Sequence, residues 1–69
     1  MDVRINDYPQ LRGLCWNRPG AEMVDGAEVL ALYERNWRFV DREAMTADEE
    51  RLLATLVARY GNGVMNVAG

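Results

Sequence analysis

Three residue types are missing from this chain: among its 69 residues there is no histidine, no serine and no lysine. Each absence removes a chemistry. Without His there is no side chain whose ordinary pKa sits near neutrality, and without Ser and Lys the commonest hydroxyl nucleophile and the Schiff-base amine are gone. Cysteine is nearly absent too. A lone Cys15 can form no internal disulfide, and no Cys/His set exists to hold zinc. The opening MDVRINDY has no apolar core of a secretion signal, and nowhere do about 18 apolar residues run together as a membrane span requires. With a free thiol, these absences point to a reducing cytoplasm. No enzyme activity, catalytic residue, cofactor or metal is expected.

What is present describes a small folded domain. Apolar residues make up 49% of the chain, and two Trp, three Tyr and one Phe supply bulk for a core, which argues against disorder. Residues 1–69 make a single domain, but at this size only about 60% of the unfolded surface can be buried, so stability should be modest. With no disulfide or metal staple, self-association is the remaining common support. The net charge is −3, from eleven acidic and eight basic residues, and every basic residue is Arg. That balance opposes binding to polyanions, so nucleic acid is not expected as a partner. Arg suits planar, stacked or bidentate contacts, although a GC-rich coding bias would give the same composition.

Asp7-x-x-Gln10, Asp25-x-x-Glu28 and Thr46-x-x-Glu49 each have the form of a capping box, which predicts three helix starts. The last helix is the clearest, at 47–60. Leu52, Leu53, Leu56, Val57 and Tyr60 span an arc of about 140° at 3.6 residues per turn, acids fill the first turn, Arg59 lies in the last, and Gly61 supplies a left-handed stop. The middle helix starts near Gly26, with Val24 and Val29 placed as a hydrophobic staple. Along it Val29, Leu30, Tyr33, Trp37 and Val40 form one stripe, while Leu32 and Phe39 form a second about 60° to 80° away. Asn36 projects between the stripes, so either the helix ends near Trp37 or this amide finds a hydrogen bond in an apolar setting. Glu34 and Arg38 are spaced for an i,i+4 pair. The short connection 41–45 predicts antiparallel packing of the two helices. A first helix is expected at about 8–16, although Gly13 sits inside it. Residues 17–23, with Pro19-Gly20, read as a turn or loop, and Val3 and Ile5 could pair as a brief strand with Val64, Met65 and Val67. The expected fold class is therefore mainly α, a small helical domain with two antiparallel helices, an N-terminal helix and short extended termini, with a small α+β arrangement as the alternative.

Several constellations have plainer explanations than chemistry. The acids Asp41, Glu43, Asp48, Glu49 and Glu50 lack the ligand spacing of a calcium loop and read as a solvated helix start. Cys15, near Trp16, Arg12 and Arg18, reads as a small buried apolar residue rather than a reactive thiolate. A helix-turn-helix DNA reader would have to present Asp48, Glu49 and Glu50 to phosphates, which opposes docking. Gly61-Asn62-Gly63 follows a helix and stops it, unlike a phosphate loop.

The segment 33–41 (YERNWRFVD) combines the residue types that dominate interface hot spots. Leu32, Arg35, Asn36, Trp37, Arg38 and Phe39 are the candidate interaction residues, with Arg42 in a basic rim and with Tyr33 and Trp37 weighted toward the core. With the following T-x-x-E helix and the terminal Gly-Asn-Gly-Val, this segment resembles small uncharacterised bacterial proteins over about the last two thirds of the chain. Some of those proteins are encoded beside nucleotidyltransferase-like genes in pairs reminiscent of toxin–antitoxin modules, and the resemblance supplies no site residues. The expected function is a non-catalytic protein-protein interaction module that also self-associates as a homodimer through Leu32 and Phe39. The partner's identity is not legible. The alternatives are an antitoxin-like or nucleic-acid-linked regulatory partner, and a small enzyme subunit using carboxylates and Arg.

Overall fold

The computed structural model describes residues 1–15 and 22–65. Strand β1 (Asp2–Arg4) leads through a 3-10 turn (Ile5–Asp7) into helix α1 (Pro9–Leu14), and strand β2 (Met23–Asp25) runs directly into helix α2 (Gly26–Arg35). Two more 3-10 turns (Trp37–Phe39 and Arg42–Ala44) precede helix α3 (Ala47–Tyr60). The fold is a small mainly α domain of three helices with a two-stranded antiparallel sheet. No helix among the described residues is long and apolar enough to cross a membrane.

Helices α2 and α3 are antiparallel, as their short connection predicts. Gly26 at the start of α2 lies against the Tyr60 ring at the end of α3, while Tyr33 near the end of α2 bonds to Glu49 in the first turn of α3. The core forms where these helices meet α1 and the sheet. Val29, Leu30, Leu32 and Tyr33 of α2 join Leu52 and Leu56 of α3, Leu11 and Cys15 of the first helical segment, and Val3, Ile5 and Val24. Tyr60, although on the apolar arc of α3, remains 37% exposed at the helix end.

Two of the three predicted caps hold. Thr46 Oγ1 accepts from Glu49 N at 3.1 Å, and Asp25 Oδ2 accepts from Ala27 N at 3.0 Å. Val24 and Val29, the expected staple, are both in the core. Asp7, in contrast, does not cap α1; it closes the preceding 3-10 turn, and Tyr8 occupies the N-cap with no side-chain hydrogen bond. Helix α1 is shorter than the expected 8–16: it ends at Leu14 with Cys15 as its C-cap.

The strand pairing also differs from expectation. Val3 pairs with Val24, not with the C-terminal segment, and Val64 and Met65 are not in a strand. Ile5 lies in the 3-10 turn rather than in the strand. A three-residue strand such as β2 places only one side chain inward, too short an alternation to read from sequence. Trp16, Arg18, Val67, Pro19 and Gly20, which entered the expectations for Cys15, the terminal strand and the 17–23 turn, lie outside the described residues.

At the end of α3 the left-handed conformation falls on Asn62 (φ 52°) and Gly63 (φ 81°), whereas Gly61 has φ −107°. Gly61 is needed for space. A Cβ there would stand 2.6 Å from the Val64 carbonyl oxygen and 3.1 Å from that of Val57, because the chain folds back so that both Gly61 N and Gly63 N donate to Val57 O.

Candidate interaction site

Helix α2 ends at Arg35, with Asn36 as its C-cap. Its backbone N–H and its Nδ2 both donate to the Leu32 carbonyl, at 3.1 and 2.9 Å, so the amide between the two apolar stripes is satisfied and also serves as a C-cap. The chain then tightens into the turn Trp37–Phe39, held by Phe39 N donating to Asn36 O and Val40 N donating to Trp37 O.

That break separates residues which a continuous helix would have aligned. Leu32 and Phe39, seven apart, share a face only while the helical repeat persists. Leu32 is 5% exposed and belongs to the core, whereas Phe39 is 70% exposed. The expectation that Leu32 lies on a contact surface is therefore corrected. The Arg38 guanidinium sits 5.7 Å from the Phe39 ring centroid. Arg42 sits 5.6 Å from the Trp37 ring. Both distances are within cation–π range. Of the candidate residues, Arg35, Arg38 and Phe39 are exposed and Asn36 and Trp37 half-buried.

A buried polar hub fixes the base of this surface. Glu49, expected as part of a solvated helix start, is fully buried, and its carboxylate turns away from its own helix to α1 and α2. Its Oε1 accepts from Gln10 N at 3.1 Å, and its Oε2 accepts from Leu11 N at 2.9 Å and from the Tyr33 hydroxyl at 2.6 Å. The first-turn N–H groups of α1, which Tyr8 cannot cap, thus receive their acceptor from a residue almost forty positions away. Gln10 continues the connection, its Oε1 accepting from Asp41 N at 2.9 Å, and Asp41 in turn caps the Arg42–Ala44 turn through Glu43 N. Burial first, then the hydrogen bond and charge of Glu49, push the Tyr33 hydroxyl pKa well above its usual value. Tyr33 is thereby held protonated as a hydrogen-bond donor to Glu49, unsuited to act as a base or nucleophile.

Sequence reasoning missed this hub because the capping box seemed to account for Glu49. A signal did exist. A Tyr on the core-facing stripe of α2 needs a partner for its hydroxyl, and a helix that begins at Pro9 without a Ser, Thr, Asp or Asn immediately before it needs an acceptor from elsewhere.

Beside the 3-10 turns an open apolar groove of about 540 Å³ runs along α3. Trp37, Met45, Leu53, Val57 and Met65 give its apolar walls, Ala54 and Ala58 keep its floor low, and Arg42 and Glu50 contribute its charges. On the other side of the turn, Phe39 lines a smaller recess with Gly13, Leu14 and Asn36. Cys15 is buried, as expected of a structural thiol. Among the described residues no group of three or more acids or Cys is placed to hold a metal ion. No protein-family model, no curated protein and no solved structure matches this chain.

Proposed function

We propose that this protein is a non-catalytic protein-interaction module, acting in the cytoplasm through the surface of Arg35, Asn36, Trp37, Arg38 and Phe39 and the groove beside it. One observation carries the reading: Phe39 is 70% exposed, with a guanidinium over its ring, on a short turn whose base is tied to the core. Leaving a phenyl ring in water forgoes the stabilisation of burial, about 1.5–3 kcal/mol for such a side chain, and binding would recover much of it. Aromatic and Arg side chains on a pre-ordered backbone also lose little entropy on docking, which favours them as anchors. Leu32 supports the surface from the core and is not part of the contact.

The test uses wild-type protein and Phe39→Ala as baits in an extract of the native host, read by quantitative mass spectrometry. A partner enriched by the wild type and reduced at least tenfold by the variant is expected, with unchanged circular dichroism. Equal recovery by both baits overturns the reading. Submicromolar, steeply salt-dependent binding of DNA or RNA would replace it with a nucleic-acid-linked regulator. Turnover by the isolated chain would replace it with an enzyme subunit.

A further inference from the structure

Resting on the reading of the turn and its groove as an interaction surface, we infer that Gln10 is a positioning residue for that surface: its side chain clasps the connection between α2 and α3 to helix α1, and so holds the Arg42 wall of the groove in place. The Asp7-x-x-Gln10 pattern led to a different expectation, with Gln10 turned back toward the start of α1. Asp7 lies in the preceding 3-10 turn instead, and the Gln10 side chain reaches forward to Asp41. Between the two later 3-10 turns Val40 and Asp41 are extended, with ψ of 121° and 98°. Val40 N still finds an acceptor in the Trp37 carbonyl, whereas Asp41 N donates to Gln10 Oε1 at 2.9 Å. Among the described residues the other hydrogen bonds of 40–45 stay within 37–45. The one to Gln10 spans 31 positions. Its anchor is the buried hub, because Gln10 N donates to the same Glu49 carboxylate that holds Leu11 N and the Tyr33 hydroxyl.

What the clasp holds is the backbone around Arg42. Gln10 fixes Asp41 on one side of it, and the Asp41 carboxylate accepts from Glu43 N at 3.1 Å on the other. From that backbone the guanidinium of Arg42 lies 5.6 Å from the Trp37 ring, and both residues line the groove. A long exposed side chain has many rotamers to lose on docking. Fixing its backbone and stacking it on a ring beforehand lowers that cost, so a clasped wall binds a partner more tightly than a loose one.

Gln10→Met keeps the side-chain length and the helix propensity but offers only a weak thioether acceptor. Amide hydrogen exchange of the full chain, followed residue by residue by NMR, should show Asp41 N exchanging about two- to tenfold faster in this variant, the effect of one net hydrogen bond, with the core amide of Leu56 unchanged. Nuclear Overhauser contacts between the Arg42 side chain and the Trp37 ring should weaken with it. Gln10→Ala, which has no acceptor at all, should reproduce both changes and decides the matter should the Met variant misfold. Recovery of a host partner by Gln10→Met should fall by a similar factor, about two- to tenfold. Unchanged exchange at Asp41 overturns the inference. So does faster exchange with the Arg42–Trp37 contacts or the partner's recovery intact, which would leave the clasp no positioning role, and so does an equal acceleration at Leu56, which would report general destabilisation. If Phe39→Ala loses a partner while Asp41 exchange is indifferent to Gln10, only the clasp fails. If the contacts weaken as expected but neither Gln10→Met nor Phe39→Ala changes what is recovered, the interaction reading itself fails.

Discussion

Replacing Glu49 by alanine should bring the chain to the edge of unfolding, although the residue lies in the first turn of a helix where an acid normally contributes only a few tenths of a kcal/mol. Its carboxylate receives three donors, two of them in buried bonds. Each buried donor left without an acceptor costs about 1–3 kcal/mol, and the part-buried Gln10 N–H can turn to water, so the loss should be about 3–5 kcal/mol. A domain of 69 residues has only about 3–10 kcal/mol in total. Glu49→Gln distinguishes the contributions. Its carbonyl can keep the Leu11 and Tyr33 bonds at the Oε2 position while its NH2 confronts the Gln10 N–H, for a loss of about 1–2 kcal/mol. Tyr33→Phe deletes one bond and should also cost about 1.5–3 kcal/mol. Urea melts of the three variants, with Glu49→Gln/Tyr33→Phe as a double-mutant cycle, supply the measurements. A Glu49→Ala midpoint corresponding to a loss below about 1 kcal/mol would refute the hub, since it would mean that α1 finds another cap or does not need one.

The raised Tyr33 pKa fixes the sign of an alkaline effect. Unfolded Tyr33 releases its proton near pH 10 while the folded residue keeps it, so its contribution is complete below pH 10 and is lost as pH rises from there toward the folded value. The advantage of wild type over Tyr33→Phe should shrink above pH 10 by up to about 1.4 kcal/mol per pH unit, and a constant difference from pH 7 to 11 would contradict the assignment. Thr46→Ala removes the acceptor for Glu49 N and should cost about 1 kcal/mol in a denaturant melt; superimposable curves would show that Thr46 is not the cap. Gly13 and Gly61 should respond in opposite directions to alanine. Nothing stands within 4 Å of a Cβ at Gly13, inside α1, so Gly13→Ala should stabilise by up to about 1 kcal/mol. Gly61→Ala meets two backbone oxygens and should destabilise by about 1–3 kcal/mol, with thermal midpoints separating the two.

Local grammar determined much of this protein. The apolar arc of α3, its acidic first turn and its Thr46 cap are all encoded within one stretch of chain, so its bounds at 47–60 could be read directly. The start of α2 at Gly26 follows from Asp25 in the same way, and the short connection made the antiparallel packing of the two helices legible. Tyr33, on the same stripe as Val29, was recognisable as core. Composition alone pointed away from the usual catalytic groups.

Tertiary structure decided whatever depended on residues distant in sequence. Whether Glu49 faced water or the core turned on the uncapped start of α1 and on the hydroxyl of Tyr33, none of them its neighbours in sequence. The partner of β1 was β2 because only the folded chain brings Val24 opposite Val3. The candidate site divided for a related reason. Residues 32–39 carry a pattern compatible with one long helix, and Asn36 could be satisfied either inside it or at its end. In the fold Asn36 sits at its end, with Leu32 buried before it and Phe39 exposed after it. Periodicity assigns residues to a common face only while the helix continues, and where it stops is a competition between local capping and distant contacts that no short window of sequence contains.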